Sequence, residues 1–238
     1  MERVRPPRSV RRFALDWFPV LLIVVAYGVL HQLSDTLVTH AHVQPQLGFD
    51  ELVFGTVPSV AVQQLAWDPD DPRWWDLAAF VVYLSHFVVT LAIALALWFR
   101  DVYRFRRWRR LVLLTTFAGF ATYLTYPAVP PWLASIRGDM PRADRVVKAI
   151  WEHFGARRIG AVFGQDSGVA FEVGALPSLH AAAPFLATLF LWDRRGLRGP
   201  LVVYTVAMAA TLVYTGDHFV FDILLGWAYA AAVHALLR

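Results

Sequence analysis

FEVGALPSLHAAAPFLATLF, residues 171–190, is the stretch from which the rest of the chain is read. It places Pro177-Ser178-Leu179-His180 at the mouth of an apolar run. Ser178 is a good helix N-cap, so the run reads as a helix opening at Leu179 with His180 in its first turn. A second histidine, His218, begins the last apolar run, four residues before Asp222. Two helix mouths, each carrying ionisable groups, are thus set into apolar segments.

Working outward, the chain of 238 residues is 58% hydrophobic, against roughly 45–50% for an average soluble domain. Its apolar runs are long enough to be read as membrane spans, at about 17–33, 74–99, 111–126, 179–192, 201–214 and 218–237. The fold expected is all-α: a polytopic membrane protein with six transmembrane helices in a bundle and interfacial helices on the outer face. The first run lacks a small-x-small cleavage site and reads as a span rather than a removable signal. Cysteine is absent, which excludes disulfides, thiolate chemistry and cysteine zinc sites. The net charge of +4 comes with basic residues clustered beside the spans, so it reads as membrane topology and not as nucleic-acid binding.

Two units follow: a basic cytoplasmic tail over 1–16, its first dozen residues disordered beside anionic lipid, and a six-span domain over 17–238. Residues 50–67 are apolar but interrupted by Gly55 and Pro58; they are expected at the interface or re-entering the membrane. Residues 100–110 and 193–199 read as short basic loops. Pro127, Pro130 and Pro131 end the third span. Val146, Val147, Ile150, Trp151 and Phe154 recur at helical spacing and predict a helix lying flat at the headgroups. The arginines at 3, 5, 8, 11 and 12, with those of the two basic loops, place both termini and these loops in the cytoplasm. The starts of the fourth and sixth spans then share the extracytoplasmic side of the cell membrane.

That pairing carries the chemistry. At a spacing of four in a helix, Asp222 falls beside His218. It can fix the ring tautomer and leave the other nitrogen as a nucleophile. A carboxylate within a span costs roughly 2.5–3.5 kcal/mol and needs a partner. Ser178 and Leu179 open a helix whose N–H groups suit a phosphate, and His180 can act as general acid. The set suits displacement at phosphorus. A metal site drawing on His180, His218, Asp222, His40 and His42 is the weaker reading. No metal and no cofactor is expected. His86, in the second span beside Ser85, reads as a hydrogen-bonded core histidine.

These residues resemble the type 2 phosphatidic acid phosphatase superfamily, and most closely its branch containing fungal inositol phosphorylceramide synthase and bacterial relatives. Pro177-Ser178-Leu179-His180 is similar to the superfamily's Pro-Ser-Gly-His motif, with leucine replacing glycine as in that branch. His218 and Asp222 match a His-x-x-x-Asp motif, with Gly226 beyond. Tyr126-Pro127-Ala128-Val129-Pro130-Pro131-Trp132 and the segment from Asp50 to Pro58 resemble two further branch segments. The resemblance implies metal-independent catalysis with His218 as nucleophile, Asp222 as its orienter and His180 as acid. It also marks Asp50, Phe54, Pro131 and Trp132 as candidates for a lipid or acceptor pocket.

The superfamily's Lys-x6-Arg-Pro motif is missing, and Thr211-Leu212 stands where a Ser-Arg pair is expected. A phosphate dianion still needs a cation. The candidates are Arg137, Arg142, Arg145, Arg157 and Arg158, all in the loop before the fourth span. The implied activity is a phosphotransferase acting on a phospholipid or lipid-linked phosphate at the outer leaflet through a phosphohistidine. The alternatives are a phospholipid or polyprenyl phosphate phosphatase, or a non-catalytic lipid-phosphate binding or transport protein. Partners expected are the lipid substrate and membrane lipids, without nucleic acid; a homo-oligomer is left open.

Overall fold

A computed structural model describes residues 9–153 and 173–238. Among them the chain is helical throughout, with isolated bridges in place of strands. In order the helices are α1 (Val10–Gln32), α2 (Ser34–Val38), α3 (Gln46–Phe54), α4 (Pro58–Ala66), α5 (Trp74–Arg100), α6 (Val102–Thr125), α7 (Pro131–Arg137), α8 (Val146–His153), α9 (Leu179–Phe190), α10 (Arg195–Tyr214) and α11 (Val220–Leu236). Three of them, α1, α5 and α10, are long and apolar enough to cross a membrane; α9 and α11 are apolar but shorter.

The burial pattern gives the physical reason for this architecture. α1 and α5 leave Val24, Val25, Val81 and Val88 exposed, and α10 leaves Val203 and Val206 exposed. Apolar faces of this extent are stable only against lipid or a partner. α9 is different. It touches α5, α6, α10 and α11, and Ala181, Ala182, Leu186 and Ala187 are buried. A short helix suffices because it is the protein-enclosed centre of the bundle. Trp108, Phe105, Leu111 and Phe190 form the core around its far end.

Several boundaries differ from those read in the sequence. The basic stretch 100–110 is not a loop: Asp101 accepts hydrogen bonds from the N–H groups of Tyr103 and Arg104, at 3.2 and 3.1 Å. That cap starts α6 within the arginine run, since arginine is itself a good helix former. Likewise α10 begins at Arg195 and carries Pro200 in its first turns. α1 begins at Val10, inside the stretch read as tail, with Ser9 accepting from Arg12 N–H. Residues 1–8 lie outside the described residues.

The interrupted segment after α2 forms two short helices. α3 ends on Gly55 at φ 73°, and Pro58 opens α4. A positive φ is nearly free for glycine and costly for other residues. The amphipathic helix α8 does form, but its apolar face meets protein. Val146 and Ile150 pack with Tyr214, and Val147 and Trp151 pack with Tyr83, Met208 and Leu212. Phe154 lies outside the described residues.

The polar connections gather at one end of the bundle. His42 N–H donates to Pro127 O at 2.8 Å, Ala128 N–H to Val173 O at 3.0 Å, and Trp132 N–H to Gly216 O at 3.1 Å. These bonds bring the segment before α3, the proline-rich turn and the approach to α9 together over the start of α11.

Candidate active site

The sequence around His218 forms a corner rather than a continuous helix. α10 ends at Tyr214, Gly216 turns the chain at φ 73°, and α11 starts only at Val220. His218 therefore precedes the helix, and a shared helical face does not bring it to Asp222. Asp222 instead folds back over the helix start and accepts from Phe219 N–H at 2.9 Å. That places its Oδ2 3.5 Å from His218 Nδ1. Both side chains are buried.

The corner is clamped from three directions. Gln63 of α4 donates to Tyr214 O at 2.8 Å and to Asp144 O at 2.9 Å, while Asp144 N–H donates to its Oε1 at 2.7 Å. Trp132 N–H holds Gly216 O, and Val146 N–H holds Thr215 O at 3.2 Å. A Cβ on Gly216 would lie 2.7 Å from Asp144 O, so both the turn and the close approach require glycine. Gln63 carried no signal in the sequence, because an isolated glutamine in an apolar stretch has no distinctive spacing.

α9 is locked to the same corner. Ser178 Oγ accepts from Ala181 N–H at 3.1 Å, an N-cap as its position predicts. Ser178 N–H donates to Asp222 O at 2.9 Å, so its amide is engaged with α11 and its hydroxyl with α9. Gly226 permits this contact: a Cβ there would fall on Ser178 O. Tyr123 Oη donates to Pro177 O at 2.9 Å. Leu179 fits against Gly119 of α6, where a Cβ would come within 2.8 Å of its Cδ2. The leucine at the variable motif position thus has a matching gap on a neighbouring helix.

His180 and His218 meet with ring centroids 5.9 Å apart. Tyr83 stacks on His180 at 4.9 Å, and His86 approaches it at 4.5 Å. His86 was read as a hydrogen-bonded core residue. Its Nδ1 is buried without a hydrogen-bond partner, and the neighbouring Ser85 hydroxyl is used by Val82 O and Tyr204 Oη. His40 pairs with Thr39 Oγ1 at 2.8 Å, and His42 stacks on Tyr126 at 4.3 Å.

The arginine candidates separate cleanly by position. Arg137 is tied to the carbonyls of Ala41 and Val38. Arg142 forms an exposed pair with Asp144 at 3.0 Å. Arg157 and Arg158 lie outside the described residues. Arg145 is largely buried, 3.6 Å from Asp217 and 4.8 Å above the Trp132 ring. Its Nε is buried without a hydrogen-bond partner. An arginine at the start of α8 is indistinguishable in sequence from its neighbours, and only packing on Trp132 selects it.

The four pocket candidates do not share one role. Asp50 is buried and accepts from Val220 and Phe221 N–H at 3.0 and 3.2 Å. It caps α11 from a separate helix, and burial holds its carboxyl above the ordinary carboxylate range despite the two N–H donors. Phe54 is about half exposed, while Pro131 is buried, as is Trp132 beneath Arg145. Capping of one helix by a residue 170 positions earlier has no sequence signature.

The sequence model of the PAP2 superfamily matches residues 54–236. A phosphoinositol dihydroceramide synthase of Bacteroides thetaiotaomicron is 28% identical over 160 residues, covering 63% of this chain and 52% of that protein. The match therefore spans about half the length of that relative. No solved structure matches the chain.

Proposed function

Because the chain belongs to the PAP2 superfamily, we propose that it moves a phosphate or phospho-headgroup from a phospholipid or lipid-linked phosphate through a phosphohistidine on His218. The observation that carries this reading is the buried His218–Asp222 pair, 3.5 Å apart, with the His180 ring 5.9 Å from that of His218. Nε2 of His218, the nitrogen not facing Asp222, attacks phosphorus. The bond to the leaving oxygen breaks, and His180 gives that oxygen its proton. Asp222 stabilises the positive charge that develops on the His218 ring. In the second half the acceptor hydroxyl returns a proton to His180. Its oxygen attacks phosphorus, and the P–N bond breaks to restore His218.

Arg145 supplies charge to the non-bridging oxygens, where a fixed cation lowers the barrier most. Ser178 serves by joining α9 to α11, and the first turn of α9 carries the helix-dipole component of the phosphate site. Six helices, α1, α5, α6, α9, α10 and α11, cross the membrane. The basic end faces the cytoplasm by the positive-inside rule and the site faces the outer leaflet. The short helices α9 and α11 are consistent with crossing because protein encloses α9 and the polar corner begins below the membrane surface.

The synthase similarity favours an alcohol acceptor over water. The second reading, a lipid phosphatase, differs only in that acceptor. The test uses purified protein in lipid nanodiscs with a panel of labelled phospholipids, with and without inositol or sugar acceptors. Expected are headgroup transfer, an acid-labile phosphoprotein, and loss of both in His218→Ala. Product made only with water would replace the transferase with the phosphatase. Vanadate binding without turnover on the panel would leave a binding or transport protein, and full activity of His218→Ala would overturn the histidine mechanism.

A further inference from the structure

His86 is a polar group of this site that the mechanism above leaves unused. It lies within α5, a helix long and apolar enough to cross a membrane, and a histidine so placed is costly without a purpose. Its ring centroid is 4.5 Å from that of His180, inclined at 43°. Phe87 packs against both rings, at 5.0 Å from His86 and 5.9 Å from His180. Two ring nitrogens, His86 Nδ1 and His180 Nε2, are buried here without a hydrogen-bond partner. Buried nitrogens in native proteins are nearly always paired, and exceptions call for a ligand, a water or a catalytic role.

The sides of the site are already divided by element. His218, Asp222 and Arg145 come from the α10–α11 corner and the start of α8, and serve phosphorus and its non-bridging oxygens. His180 serves the oxygen that leaves or enters. α5 approaches the site beside His180, with Tyr83 stacked on the ring and His86 and Phe87 next to it.

We propose that His86 is an alcohol-binding residue: its Nδ1 hydrogen-bonds the oxygen that leaves phosphorus in the first half-reaction and enters in the second, alongside His180 Nε2. This rests on the phosphotransfer reading. In the first half His180 transfers its proton to the departing oxygen while His86 donates a hydrogen bond to it, so negative charge on that oxygen is shared between two donors. His86 keeps its own proton throughout, and the balance of the two half-reactions is unchanged.

The test compares kcat/KM for two substrates that differ in how much help the leaving oxygen needs. Dioctanoylphosphatidic acid has an alkyl leaving group and p-nitrophenyl phosphate an activated one. In a ping-pong reaction kcat/KM reports phosphoenzyme formation for each. His86→Leu is expected to lower the value for the alkyl substrate about 10²-fold more than for the aryl one, the scale of a lost transition-state donor. His86→Asn, which keeps a nitrogen near the Nδ1 position, is expected to recover most of that ratio. Thermal unfolding followed by tryptophan fluorescence accompanies each variant; where His86→Leu does not fold, His86→Asn against His86→Ser decides. Equal losses on both substrates, or no loss on either, in folded variants overturn the alcohol-binding role while leaving the phosphotransfer reading intact. A wild-type protein inactive on both substrates and on every phospholipid of the panel, or His218→Ala as active as wild type, overturns the phosphotransfer reading and the His86 role with it.

Discussion

The two ends of the helical bundle both carry buried charge, and they treat it in opposite ways. At the basic end Asp16 is surrounded by Arg12, Arg106 and Arg109 at 3.8, 3.4 and 3.8 Å, and Trp98 Nε1 donates to it at 3.3 Å. Arg107 donates to Leu237 O, Arg198 to Trp192 O, and Arg104 is paired with Asp193. Among the described residues, Arg109 Nε is the buried charged-group atom there that lacks a hydrogen bond. At the other end His86 Nδ1, His180 Nε2, Arg145 Nε and Asp217 Oδ2 are buried with no hydrogen bond, as are His218 Nδ1 and Asp222 Oδ1. The first end holds helices together. The second retains unspent hydrogen-bonding capacity in one place, which is costly and makes sense where a polar ligand completes it.

That contrast can be broken by experiment, most severely at the carboxylate. Asp222→Asn presents an amide to His218 Nδ1 and favours the wrong ring tautomer; turnover should fall on the order of 10⁴-fold while the fold survives. A fall of less than tenfold, measured as headgroup release, would make the pair a structural contact. Next in size is Arg145→Ala. Loss of the cation over Trp132 should lower kcat/KM about 10²- to 10³-fold and weaken vanadate inhibition in parallel. Arg137→Ala and Arg142→Ala, whose guanidinium groups are taken by the carbonyls of Val38 and Ala41 and by Asp144, should change neither. Equal loss in all three would remove the distinction drawn between these arginines.

Gly226→Ala tests the joint between α9 and α11. The added methyl meets Ser178 O and must push the helices apart. Overpacking of this kind costs about 1–3 kcal/mol, read as a lower unfolding temperature together with reduced turnover. The smallest effect belongs to the basic end. Arg104 holds the Asp193 carboxyl below the ordinary carboxylate range. Because that pKa is lowered in the fold, its stabilising contribution is present above the ordinary carboxylate range and disappears as pH falls through the lowered value. Arg104→Gln should therefore cost below about 1 kcal/mol at neutral pH, since the pair is partly exposed, and nothing at pH 2. A loss at neutral pH as large as that of Gly226→Ala would place the basic end on the same footing as the site.

Much of this organisation is legible along the chain. Mean apolarity marks the long helices, Ser178 announces the start of α9, Gly55 and Pro58 bound two short helices, and the residues of both motifs come together at one corner. Helix starts within basic stretches were not legible, because arginine favours helix as readily as it marks a loop. The spacing of His218 and Asp222 suggests a common helical face, whereas the capping geometry of α11 creates the contact.

What the sequence determined by itself is the all-helical class and the family resemblance carried by the two motifs, because hydropathy, capping and motif spacing are local properties. Only the tertiary structure decided that Arg145 packs over Trp132 beside Asp217, that Asp50 caps the last helix, that Gln63 holds the turn before His218, and that His86 adjoins His180. Each of these depends on residues distant in the chain meeting in space, at separations set by helix packing and close contacts such as Gly119 with Leu179 and Gly226 with Ser178, and no local pattern encodes them.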